Sequence, residues 1–196
     1  MRLFVFLFAV LLLAAACSRP GTVASSSEPG EGEQQFVEER GRLAAEALMK
    51  NLGGQLKASL QSGGPVAALQ VCQSVAQPIT MATDAEFEGV AIRRTSLKPR
   101  NSANAPDEID REILETMATV ARQEKAIEPT IHWASGTARY YQPLIVQEVC
   151  LKCHGDLGTF PPELVQALST LYPDDQATGY ELGDLRGVIR VDVMRD

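Results

Sequence analysis

Residues 187–194 read Gly187-Val188-Ile189-Arg190-Val191-Asp192-Val193-Met194, with apolar residues alternating around Arg190 and Asp192. That period of two is the pattern of a half-buried strand. Working back from it, Glu88–Thr95 (EGVAIRRT), Thr130–Trp133 and Arg139–Val149 are also predicted strands, with Ser135-Gly136 as the turn between the last two. Upstream the period changes. Phe36, Leu43, Ala44, Ala47, Leu48, Leu52, Leu56 and Leu60 recur at i, i+3 and i+4, which predicts one amphipathic helix over Gln34–Leu60, with Gly53-Gly54 as a candidate bend. Ser62-Gly63-Gly64-Pro65 interrupts the pattern. Pro65 suits a first helical position, and a second helix over Val66–Val75 is expected to end before Pro78. Pro106–Lys125, opened by Pro106-Asp107-Glu108, and Pro161–Leu171 are further helices. Long helices first and an antiparallel sheet later predict an α+β domain of about 160 residues, enough for a real core.

The whole chain has 196 residues, 45% hydrophobic and 22% charged, which excludes collagen-like, disordered and multi-span membrane classes. A formal charge of -7 and a pI near 4.9 argue against nucleic acid as a partner. The first residues belong to a different class of segment. Met1-Arg2 precedes an unbroken apolar run from Leu3 to Leu13, and Ala14-Ala15-Ala16 supplies small residues for a signal peptidase. The run is too short for a permanent span, which takes about 18 to 20 residues, so residues 1–17 read as an export signal. Cys17 after three alanines resembles a bacterial lipobox, which makes a lipid-anchored periplasmic protein the expectation; the other reading of Cys17 is a bystander lost with the signal. Ser18–Glu33 (SRPGTVASSSEPGEGE) is a flexible tether by composition, leaving residues 34–196 as the folded domain.

Chemistry must draw on four cysteines, Cys17, Cys72, Cys150 and Cys153, and two histidines, His132 and His154. Cys150-Leu151-Lys152-Cys153-His154 is CxxCH, the attachment sequence of haem c. Two thiols at that spacing add to the two vinyl groups of the porphyrin, and the adjoining histidine is carried beneath the iron. A thioredoxin-like pair, a structural zinc site and a simple Cys150–Cys153 disulfide are the competing readings. The first lacks a βαβ context, and the second lacks another CxxC or HxxxH half.

The second axial position stays open on the residues alone: Cys72, His132, Met49, Met81, Met117 and Met194 are candidates, as is no ligand at all. Cys72 shares an apolar helix face with Val71 and Val75, so it reads equally as a ligand or as a small buried hydrophobe. Arg93, Arg94, Lys98 and Arg100 form a basic cluster, fit for haem propionates or for a solvated turn around Pro99. Tyr140 and Tyr141 are candidates to pack on the porphyrin, with core packing as the alternative. Asp174-Asp175 with Gly179 and Asp184 lacks the alternating acids of a calcium loop and reads as a turn.

Several of these segments, taken in order, carry a resemblance. RRTSLKPRN at Arg93–Asn101, NAPD at Asn104–Asp107, YYQPL at Tyr140–Leu144, CLKCHG, and YPDDQATGY from Tyr172 through Gly183-Asp184-Leu185-Arg186-Gly187 are similar to a family of single-haem c-type domains with a PAS-like fold. That family is known from a photosystem II-associated protein and from the sensory ends of some bacterial histidine kinases. The resemblance spans about residues 36–196. It implies a PAS-like antiparallel sheet with long N-terminal helices packed against it, one covalent haem c, and an axial cysteine in the Val71-Cys72-Gln73 segment. It implies Cys72 as the iron ligand opposite His154; the CxxCH motif itself gives Cys150 and Cys153 as attachment points and His154 as the first ligand, and Arg94, Arg100 and Tyr141 are further candidate cofactor contacts. The expected function is a periplasmic monohaem cytochrome that transfers one electron to a redox partner protein or reports redox state. The alternative is a haem-based redox or gas sensor, with a small gaseous ligand, acting through a separate partner. No catalytic triad, phosphate loop or carboxylate pair stands out, so an enzyme is not expected.

Overall fold

The computed structural model describes residues 29–123 and 125–195; the export signal, Cys17 and the tether up to residue 28 lie outside the described residues. The first helix, α1, spans Glu31–Ser74 and so begins three residues earlier than Gln34, inside the expected tether. It is two helical segments meeting at Gly64, whose φ of 70° and ψ of -165° leave helical space. Such a backbone suits glycine, and Pro65 restarts the helix with its φ already set and no amide to lose. The break therefore falls at Gly-Gly-Pro, and the candidate bend at Gly53-Gly54 stays helical.

A further helix, α2 (Ala76–Asp84), follows after Val75 alone. The expected stop before Pro78 fails because Pro78 lies in the first turn of α2, where amides have no acceptor within the helix. Strand β1 (Val90–Thr95) leads to α3 (Glu108–Ala121). The start of α3 is a capping box, in which the Asp107 carboxylate accepts the Asp110 amide at 2.8 Å. Strands β2 (Thr130–Ala134) and β3 (Thr137–Ile145) are joined at Ser135-Gly136, with Gly136 at φ 75°. The predicted strand through Val149 stops short: the register shifts between Leu144 and Ile145, and Glu148–His154 forms α4. Helix α5 (Pro162–Leu171) and β4 (Leu185–Met194) complete the order.

The four strands pair antiparallel in the order β1-β4-β3-β2. Alternation along the central strands divides the core. Ile189, Val191 and Val193 of β4, with Ala138 and Tyr140 of β3, pack against Val37, Ala44, Ala45 and Leu48 of α1. Val188 and Tyr141 pack with Leu114 and Met117 of α3. The α1 stripe is thus rotated from the predicted one: Phe36 and Leu43 are 52% and 41% exposed, and Val37 and Gly41 take the buried face. On the α3 side Arg190 meets Asp107, fully buried Asp110 and Asp192, at 3.0, 3.0 and 2.7 Å. No helix among the described residues is long and apolar enough to cross a membrane. The architecture is α+β, an antiparallel sheet with a long N-terminal helix, compatible with a PAS-like fold.

Candidate functional site

Helix α4 has only seven residues, yet it decides the site. Spacing of three and four along a helix puts side chains on one face, so Cys150, Cys153 and His154 are presented together. All three line a cavity of about 440 Å³ whose other walls come from Leu56, Leu60 and Cys72 of α1 and from Pro143–Ile145 at the end of β3. The helix stops at Gly155, where an added Cβ would meet the Leu151 carbonyl oxygen at 2.7 Å.

The loop before β4 braces this short helix. The amides of Gly179 and Tyr180 donate to the carbonyls of Gly155 and His154 at 2.7 and 2.9 Å. Arg100 pairs with Asp175 at 3.0 Å and donates to the carbonyls of Cys153 and Ala177 at 2.6 and 3.2 Å. Asp175 in turn accepts the Ala177 amide at 2.8 Å. The turn-like reading of Asp174-Asp175 thus acquires a purpose, since it holds a carbonyl where the imidazole needs one.

That carbonyl belongs to Ala177, and His154 Nδ1–H donates to it at 2.7 Å. The bond selects the tautomer with its lone pair on Nε2, the form in which imidazole binds a metal. Burial, then the nearby Arg186 and Arg100, holds the imidazole well below its ordinary pKa, so it is neutral at pH 7. Tyr180 stacks edge-on against it, with ring centroids 6.2 Å apart.

Cys72 reaches the same cavity from α1, far along the chain. Its side chain has accessible surface because it faces that open space. Burial by the surrounding protein nonetheless raises its thiol pKa, with Arg100, Arg94 and Arg186 pulling the other way. Burial likewise raises the Cys153 thiol. None of Cys72, Cys150 and Cys153 is in a disulfide. No three His, Cys, Asp or Glu side chains among the described residues form a metal cluster of the kind structural zinc needs.

The remaining candidates separate by position. Of the proposed second ligands, Cys72 and Met49 line the cavity. His132 is on β2, the sheet edge; Met117 is in the α3 core; Met81 and Met194 are 65% and 63% exposed. Tyr141, expected at the cofactor, belongs to the α3 core instead, fully buried with its hydroxyl donating to Asp110 at 2.9 Å. The pleat sends it to the side of the sheet away from α1. Arg100 lines the cavity, while Arg94 lies beside it. Arg186 was not singled out from the sequence; it lines the cavity and donates to Ser96 Oγ at 2.9 Å. The sequence sign of its role was only its place in the GDLRG segment, which runs into the start of β4.

Comparison with known proteins agrees with the fold. The family model described as Tll0287-like matches residues 24–193. Among solved structures, the crystal structure of the cyanobacterial haem protein Tll0287 superposes with a TM-score of 0.58 at 22% identity, covering 85% of this chain and 98% of that one. No curated protein matches the chain.

Proposed function

The chain belongs to the Tll0287-like family, and on that premise we propose that it is a periplasmic, membrane-anchored, single-haem c-type cytochrome that passes or reports single electrons. The observation that carries this reading is one cavity lined by two thiols and a neutral imidazole from one short helix, with a third thiol from a distant one. The cavity suits a haem on its own terms. Its walls are mostly apolar, its volume lies in the range of roughly 300–1,000 Å³ usual for cofactor sites, and its polar groups are two ligating types, two guanidiniums and the Gln147 amide.

In this reading Cys150 and Cys153 would hold the porphyrin covalently, and His154 and Cys72 would bind its iron. Iron porphyrin supplies a one-electron ferric–ferrous couple. Around it the chain does three things. Ala177 fixes the ring and tautomer of His154, a hydrogen bond of the kind that raises ligand basicity. Arg100 ties α4 to the 175–180 loop, so the imidazole and the thiols keep one geometry. Cys72, held as a thiolate on the iron, would add a negative charge that favours the ferric state and lowers the potential. With the iron held by both His154 and Cys72, the reading would include no substrate site.

The test is the full chain expressed in a host with haem c ligation machinery. We expect a mass increase of one haem that survives denaturation and acid-acetone extraction, and its loss in Cys150→Ala/Cys153→Ala. Red colour lost to the solvent with apoprotein mass alone sinks the covalent reading. In Cys72→Ala we expect a changed low-spin EPR signal and a higher potential; an unchanged signal and potential reject the thiolate. Carbon monoxide that leaves the reduced spectrum unaltered supports a carrier, and a new band favours the sensor alternative.

A further inference from the structure

The sheet ends in two strands, β1 and β2, and their outer edges differ. An outer edge carries amides and carbonyls that the ladder leaves unpaired, and proteins normally cover or blunt it. On β1 this is done. The Ile92 amide donates to the Asp84 carboxylate at 2.6 Å, and just beyond the strand the Ser96 amide donates to the Asn104 carbonyl at 3.2 Å.

β2 has no such cover. It reads Thr130-Ile131-His132-Trp133-Ala134, with no proline, no lysine and no bulge in its register with β3. The turn at Ser135-Gly136 makes Ala134–Thr137 the closing hydrogen-bonded pair, and bonding alternates along an antiparallel pair. Ile131 and Trp133 therefore turn their amides and carbonyls away from β3, and none of these groups has a protein partner among the described residues.

The side chains of Ile131 and Trp133 pack on the α1 side of the sheet. On that side, between α1 and β2, lies a cleft of about 390 Å³ whose walls include Gln34 and Glu38 of α1 with Glu128, Ile131, Trp133 and Tyr140. Neither Glu38 nor Glu128 is in a side-chain hydrogen bond or an ion pair among the described residues. Burial, and after it Glu38, pushes the Tyr140 phenol up, so the field of the acid reaches the cleft. Trp133 already accommodates one cation, because Arg195 lies 5.2 Å from its ring centroid while pairing with Glu33. Unpaired carboxylates beside aromatic side chains favour another.

We propose that the outer edge of β2, together with this cleft, is a docking site for an extended basic segment of a partner protein, which adds as an antiparallel fifth strand and places a lysine or arginine in the cleft. In such an addition the residues that bond to Ile131 and Trp133 stand directly opposite them, so their side chains fall on the α1 side. The cationic residues of the segment are then the ones whose own amides bond to β2. Main-chain bonds supply affinity and the alternate side chains supply specificity. A second copy of this chain fits less well, since pairing β2 with β2 brings two sets of these acids to one seam in a chain of formal charge -7. The inference is independent of the haem reading, because no residue is shared between the cleft and the cofactor cavity.

The experiment titrates the full chain with the capped peptide Thr-Lys-Val-Lys-Val-Lys-Thr, whose lysines share one face, and with three relatives of it. One has glutamate for lysine, one has N-methyl groups on the lysine amides, and one has them on the valine amides. Calorimetry and the fluorescence of Trp133, the one tryptophan of the chain, read binding. We expect the lysine peptide to bind saturably and more weakly as salt rises, and the glutamate peptide not to bind. Methylation of the lysine amides should abolish binding and methylation of the valine amides should preserve it. Glu38→Gln/Glu128→Gln should weaken binding at least tenfold with the melting temperature unchanged. No saturable binding of the lysine peptide up to millimolar concentration overturns the proposal. Equal binding of both methylated peptides overturns strand addition. A chain that sediments as a dimer and leaves the peptide unbound gives the edge to a second copy, and overturns the basic partner. A chain that carries no haem ends the cofactor reading and leaves each of these outcomes unchanged.

Discussion

Tyr140 and Tyr141 are neighbours in the chain and enter opposite sides of the sheet. Tyr140 meets α1, whereas Tyr141 meets α3 and gives its hydroxyl to fully buried Asp110. Which of two consecutive aromatics faces a cofactor depends on which side of a pleated strand the cofactor occupies, and adjacency carries no such information. Tyr141→Phe leaves Asp110 short of one donor, at a cost of about 1–3 kcal/mol. The expected outcome is a melting temperature lower by several degrees with the haem spectrum untouched, checked by thermal denaturation and absorbance on one sample. A shifted Soret band would place Tyr141 at the cofactor after all. The basic cluster teaches the same lesson. Arg93, Arg94, Lys98 and Arg100 look alike in sequence, yet three are occupied with carbonyls or a carboxylate and Arg94 is not.

At the scale of elements, α1 approaches the sheet closely because Gly41 faces the Tyr140 ring, with no room for a Cβ. Gly41→Ala forces overpacking worth about 1–3 kcal/mol against a helix-propensity gain of up to about 1 kcal/mol. Net destabilisation is expected, read as a melting temperature lower by roughly 2–4 °C for each kcal/mol lost; an unchanged or raised value would show that the helix can ride over the ring. The predicted helical stripe missed this because Gly41 is not apolar and Phe36 and Leu43 are, although they point to solvent. Helix α4 escaped for a different reason. Seven residues are too few to display a period, and the apolar run Leu144–Val146 ahead of them continues the strand pattern. The long elements, by contrast, were legible. Gly-Gly-Pro marked the break in α1, and the helix expected over Pro106–Lys125 forms as Glu108–Ala121, with Asp107 as its cap.

Across the whole molecule, the acids and arginines behind the sheet couple α3 to β3 and β4, and pH should reveal it. Burial would push the Asp107 carboxyl up, but the Asp110 amide, Arg139 and Arg190 outweigh that and hold it below its ordinary value. A depressed carboxyl contributes stability above its unfolded pKa, about 3.9, and loses it as pH falls through the lower folded value. Melting temperature followed from pH 7 downward should therefore drop below about pH 4, within that interval. Asp107→Asn keeps an acceptable helix cap while removing the charge. It should be less stable at neutral pH and show a shallower acid limb; an equally steep limb would assign the acid sensitivity to other groups. The sequence alone determined what local spacing can encode: helices before strands, an α+β domain, and two thiols and an imidazole at the pitch that haem c requires. Only the tertiary structure decided that Cys72 shares their cavity, that Tyr141 does not, and that Arg94 stands beside it unpaired. Those facts depend on which faces of distant elements pack together. Packing follows from the summed burial and pairing of the whole chain, which no single segment contains.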